Sequence, residues 1–155
     1  NADTKGRMVT LMMRDYAEGH DNTQFVENLG SLGYFSLMSS GAAMVGNSSS
    51  GIIEAPSFGL PVVNIGNRQS GRIKASNVID VDYGCDAVLS GIKSAIDPKF
   101  RASLQTLTNP YGDGHSAERI VRELKNVKLG EVLLKKRFSE PRSKEDMDDR
   151  VVRAK

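Results

Sequence analysis

Residues 44–72 read MVGNSSSGIIEAPSFGLPVVNIGNRQSGR, two apolar runs that each give way to a polar, glycine-bounded loop. The β-branched run LPVVNIG is bounded by glycines and predicts a strand, and AAMVG just upstream predicts another, buried one. Between them, Ile52, Ile53, Ala55 and Phe58 give residues 48–58 helical apolar content. Pro56 removes a backbone donor there, so the expected helix is short or kinked. Strand, helix and strand in succession imply a parallel β connection and an α/β layered sheet with flanking helices. In such sheets ligands sit beyond the carboxyl ends of the strands. The loops GNSSSG and GNRQSG should therefore emerge at one edge.

The rest of the chain extends the same alternation. Met8, Val9, Met12, Met13 and Tyr16 recur at three- and four-residue steps, which predicts a helix from Thr4 to Ala17. QFVENLG reads as a short strand and loop, and SLGYFSLMSS as a helix from Ser31 that stops before Gly41. NVIDV predicts a further strand, and Val88, Ile92, Ala95 and Ile96 form a helical stripe. The turn-rich TNPYGDGHS separates a helix around Phe100–Leu107 from one at 116–127, with Ser116 as its expected cap and Glu118 in its first turn. The last 18 residues carry few large apolar side chains, consistent with a flexible or partner-dependent tail.

The first loop offers backbone N–H groups and serine hydroxyls, a donor set suited to an anion and above all to phosphate. Ser48 and Ser49 lie between the strand end and the helix start. A serine in this place also serves as a plain helix cap, and the two readings stand level on these residues alone. Glu54 either faces solvent or meets a fixed donor such as the adjacent hydroxyls of a ribose. Arg68 and Arg72 suit a diphosphate or a base, since a planar guanidinium pairs with one and stacks on the other; singly, each is a surface arginine. His115 reads as a polar turn residue.

Other chemistries lack their motifs. There is no G-x-x-x-x-G-K-[ST] loop and no G-x-G-x-x-G after a strand, so nothing supports ATP hydrolysis or dinucleotide redox chemistry. Ser48 and Ser49 lack a G-x-S-x-G elbow. One cysteine, Cys85, and two separated histidines, His20 and His115, provide no metal-ligand spacing, so neither metal nor cofactor is expected. At 155 residues, with 39% apolar and 26% charged, the composition fits one domain around a single core. Its apolar runs are far shorter than the ~20 residues needed to span a bilayer, and the expectation is a soluble, cytoplasmic protein. The net charge of +2 arises in the tail: residues 128–155 hold 9 basic and 6 acidic side chains, against 12 and 13 in residues 1–127. KKR at 135–137 has no aromatic interleaving, so no nucleic-acid partner is expected.

GNSSSGIIEAPSFGLPVVNIGNRQSGR, followed by NPYGDGHSAERIV and LLKKRF and preceded by NADTKGR, resembles the C-terminal half of the hydrolysing UDP-N-acetylglucosamine 2-epimerases over about residues 1–140. The resemblance implies a Rossmann-like UDP-binding domain over 1–127, a return helix over 128–140 toward an N-terminal domain, and a polar tail over 141–155. The whole would be a two-domain, glycosyltransferase-B-like fold, with the domain's first strand absent here. It implies elimination of UDP from the sugar, loss of the C2 proton and hydration of the glycal, giving N-acetylmannosamine or an analogue. Ser48 and Ser49 would bind the UDP phosphates, Glu54 the ribose, Arg68 the nucleotide end, and Leu29 the uracil through its backbone. Asn1 matches the asparagine of the family's PNxD segment. The family's catalytic groups lie in the N-terminal domain, so none is assigned here. The implied ligands are UDP and a UDP-N-acetylhexosamine, and family members assemble as homo-oligomers. Without its N-terminal domain and first strand, the chain alone is expected to be inactive and marginally stable or associating. A non-catalytic nucleotide-sugar module and the C-terminal half of a UDP-sugar glycosyltransferase are the competing readings.

Overall fold

A computed structural model describes residues 4–135, which form two units, residues 1–113 and 114–155 within those limits. The first unit is an α/β layered structure, as the alternation predicts. It opens with α1 (Thr4–Glu18) and α2 (Gly30–Ser40), followed by β1 (Met44–Gly46) and α3 (Ser50–Ile53). A 3-10 turn over Ala55–Phe58 leads into β2 (Val62–Ile65), and then come β3 (Val78–Val81), α4 (Cys85–Ala95) and α5 (Pro98–Ser103). The second unit contains α6 (Ser116–Asn126) and α7 (Glu131–Leu134). Among the described residues, no helix is long and apolar enough to cross a membrane.

The three strands are parallel in the order β1-β2-β3, with Gly46 beside Asn64 and Asn64 beside Asp80. β2 is the middle strand, and its alternating side chains supply the core on both faces. Val62 joins Met38, Ala55 and Leu60, with Tyr34, Met44 and Val78 packed against them. On the opposite face Val63 and Val81 lie under Gly91 of α4, so close that a Cβ at Gly91 would fall 2.8 Å from both. Gly51 of α3 meets Val62 in the same manner, at 2.7 Å. Helices on both faces make the doubly covered sheet that the sequence predicts.

Pro56 has the expected effect. The α-helical ladder ends at Ile53, and Ser57 turns to the tighter Glu54 carbonyl at 3.0 Å. Gly59, at φ 57°, closes the segment with left-handed backbone that glycine adopts without strain.

Four expectations are corrected. QFVENLG forms no strand: β1 pairs only with β2 among the described residues, so this segment has no ladder to join. α2 begins at Gly30 rather than Ser31, where the Asn28 side chain accepts the Gly30 amide at 2.8 Å. The helix near Phe100–Leu107 is α5, started earlier by Asp97, whose carboxylate accepts the Lys99 and Phe100 amides at 2.9 and 3.1 Å. Ser116 is the first residue of α6 rather than its cap; His115 holds the cap position, with its Nδ1 3.3 Å from Glu118. Asn1, residues 136–140 of the expected return helix and the tail over 141–155 lie outside the described residues.

Candidate functional site

Because β1 and β2 are adjacent and parallel, the loops that follow them leave the same edge of the sheet. The two loops are bonded together. Gln69 is almost fully buried, and its side-chain Nε2 donates to the Asn47 carbonyl at 2.8 Å. Arg68 Nη1 reaches the Asn47 Oδ1 at 3.5 Å, a weak contact. The start of the second loop is fixed by Gly66, at φ 73°, where the Tyr83 ring occupies the space that a Cβ would take. Tyr83 also bonds the Asn67 side chain at 3.2 Å.

The first loop leads into α3 with its carbonyls committed. The Ser48 carbonyl accepts the Gly51 amide at 3.2 Å, and that of Ser49 accepts the Ile52 and Ile53 amides, each at 2.9 Å. Ser48 Oγ takes the Ser50 amide at 3.3 Å, so part of the capping role is present. The amides of Ser48 and Ser49 donate to no acceptor among the described residues. At four residues α3 carries little macrodipole, so anion affinity at this loop rests on individual amides and hydroxyls.

Beside this loop lies a cleft of about 590 Å³ whose lining includes Asn28, Leu29, Tyr34, Phe35, Ser50 and Glu54. The structure thus gathers Leu29 and Glu54, 25 positions apart, into one concavity that Ser50 also lines, whereas Ser48, Ser49 and Arg68 do not line it. Glu54 is half-buried, and its Oε2 is sealed from solvent with no hydrogen-bond partner, a costly arrangement for a carboxylate oxygen. Arg68 is exposed beside Asn47, whereas Arg72 is exposed and its side chain makes no polar contact among the described residues.

The NPYGDG segment braces the back of the site. Asn109 Nδ2 donates to the Ile53 carbonyl at 2.9 Å and to Ser57 Oγ at 2.7 Å, and the Tyr111 hydroxyl donates to the Ile73 carbonyl at 2.9 Å. These links, with Asn47 and Gln69, are the parts that sequence reasoning left unassigned. Only their place within the quoted motifs marked them. Among the described residues no group of three or more His, Cys, Asp or Glu is arranged to hold a metal.

Comparison with known proteins bears on this arrangement. Residues 1–125 match the family model of UDP-N-acetylglucosamine 2-epimerase. The chain is 39% identical over 137 residues to the UDP-N,N'-diacetylbacillosamine 2-epimerase (hydrolyzing) of Legionella pneumophila, covering 88% of this chain and 35% of that protein. It is 38% identical over 138 residues to the GDP/UDP-N,N'-diacetylbacillosamine 2-epimerase (hydrolyzing) of Campylobacter jejuni, covering 87% and 35%. A third relative, the polysialic acid biosynthesis protein P7 of Escherichia coli, is 32% identical over 126 residues, covering 81% and 32%. The chain spans about a third of the length of the curated relatives it matches. With a model match over most of its length and the motif loops inside that match, the chain belongs to the UDP-N-acetylglucosamine 2-epimerase family.

Proposed function

We propose that this chain is the UDP-binding, C-terminal part of a hydrolysing UDP-sugar 2-epimerase. The observation that carries the reading is the pair of uncommitted Ser48 and Ser49 amides on the loop that runs into Ser50, which with the half-buried Glu54 lines the cleft. Donors suited to a diphosphate stand next to an acceptor suited to a sugar diol. Ser48 and Ser49 hold the phosphates, Glu54 accepts from the ribose hydroxyls, Arg68 screens the nucleotide's charge, and the Leu29 segment receives the uracil. Asn1 approaches the ligand in the same reading.

The reaction breaks the bond from C1 to the UDP oxygen and removes the C2 proton, leaving a C1–C2 double bond. Water then adds, its hydroxyl to C1 and a proton to C2 on the opposite face. UDP and the epimeric free sugar leave. This chain's part is to bind and orient the leaving group, and charge developing on the diphosphate falls where the serine amides and hydroxyls stand. The proton-transferring groups belong to the rest of the protein, which also sets the sugar, N-acetylhexosamine or diacetamido. The site works in a soluble, cytoplasmic homo-oligomer.

Titrating UDP calorimetrically into the intact protein and into Ser48→Ala/Ser49→Ala tests the reading. The double variant should bind at least about tenfold more weakly, ~1.4 kcal/mol. Equal affinity for the two proteins rejects the phosphate cradle.

A further inference from the structure

We infer that Gln69 is a positioning residue that sets the orientation of the Asn47–Ser48 peptide, and so aims the Ser48 amide at the ligand. The inference rests on the phosphate-cradle reading above. In a planar trans peptide the carbonyl and the N–H of one unit point in opposite directions. The Asn47 carbonyl is drawn 2.8 Å from the Nε2 of Gln69, a side chain with only 2% of its surface exposed. The Ser48 N–H, on the same plane, therefore points away from the buried glutamine.

The chemistry of the clasp fixes its direction. A carbonyl acceptor demands a donor, so the amide of Gln69 must present nitrogen to Asn47. Its own Oε1 is left buried and without a partner. A buried, half-satisfied amide is expensive to keep, and what it secures here is one carbonyl 22 positions earlier in the chain. Without the donor, a carbonyl turned inward loses its reason to stay there, and the peptide is free to rotate and carry the Ser48 N–H inward. The next plane needs no such help, because the Ser48 carbonyl is held by Gly51.

The test compares UDP with uridine, which lacks the phosphates, by calorimetry on the whole natural protein. Gln69→Met keeps the length and removes the donor; its ratio of UDP to uridine affinity should fall about tenfold while uridine affinity stays level. A merely structural role would lower the melting temperature and weaken both ligands alike. If the wild-type protein binds UDP no better than uridine, the cradle reading fails; if that preference persists undiminished in a folded Gln69→Met, the cradle stands and the role of Gln69 is overturned. Should Gln69→Met not fold, Gln69→Glu decides, since its carboxyl donates to Asn47 only when protonated and burial raises its pKa. Relative to wild type it should lose UDP preference at the higher of two pH values and regain it at the lower. A preference equal to wild type at both values overturns the inference.

Discussion

Asp80 and Glu54 show how differently a carboxylate fares in this small sheet. Burial pushes the Asp80 carboxyl up, but hydrogen bonds from Lys74 and Asn64 and the charge of Lys74 outweigh it, and the net pKa lies below its ordinary value of 3.8. Lys74 Nζ stands 2.8 Å from both oxygens, and Asn64 Nδ2 2.7 Å from one. A carboxylate with a lowered folded-state pKa stabilises the fold fully above 3.8 and loses that contribution as pH falls through the folded value. Asp80→Asn can still accept from Asn64 but loses the charge and one of the two oxygens that accept from Lys74. It should cost at most about 1 kcal/mol at neutral pH, the side chain being half exposed. The gap between the two proteins' urea midpoints should close below about pH 4, and a gap constant with pH would contradict the account. Glu54 is the reverse case. Its Oε2 has no donor, so Glu54→Gln should leave stability unchanged or raise it by up to about 1 kcal/mol. The same change should weaken UDP about tenfold by removing the charge and one of the two acceptor oxygens proposed for the ribose. Lower stability with unaltered UDP binding would make Glu54 a structural residue instead. Ser48, Ser49 and Glu54 were legible as candidates because a hydroxyl-rich loop after a strand and an acid in an apolar run stand out locally. Gln69 was not, since its partner lies on another loop and no periodicity connects them.

At the scale of elements, the sheet could be read from β-branched runs, and the close packing over it could not. Gly51 and Gly91 sit within helices, where alanine is intrinsically better by about 1 kcal/mol. Each instead lies where its helix touches β2, Gly51 above Val62 and Gly91 above Val63 and Val81. The β-branched valines have little rotameric freedom with which to retreat. Gly51→Ala and Gly91→Ala should therefore destabilise by about 1–3 kcal/mol, the cost of overpacking outrunning helix propensity. Unfolding in urea decides this, and a stabilised variant would show that the helix shifts outward without penalty. QFVENLG teaches the complementary lesson. Its apolar content suits a strand, but strand character is completed by a neighbour's backbone, and β1 supplies none to it. Helix boundaries moved for a similar reason: Asp97 and Asn28 accept amides from residues that a stripe of apolar side chains leaves out of account.

At the scale of the whole molecule, the periodicity of α1 was plain, yet it does not say what covers the stripe. Met8, Leu11, Met12, Met13 and Tyr16 are each more than half exposed, and a groove of about 410 Å³ runs along Val9, Met12, Met13, Tyr16 and Phe25. The helix also opposes its own dipole, with no acid in its first turn and no base in its last. Arg14 is the main polar tie to the following segment, bonded to Glu27 at 2.7 Å and stacked over Phe25 at 5.2 Å. The second unit repeats the pattern on a smaller scale, since Ile120, Val121, Leu124 and Val127 of the α6 region are uncovered. Contiguous apolar surface of this kind is where chains meet. The 155 residues expressed alone should therefore scatter light as a species heavier than 16.9 kDa, growing with concentration, and should bind a hydrophobic dye. Met12→Lys with Met13→Glu, which breaks the α1 stripe without touching the proposed nucleotide cleft, should reduce both signals while leaving UDP affinity within about twofold. Monomeric mass at every concentration, with no dye binding, would mean that the stripe is covered from within the chain.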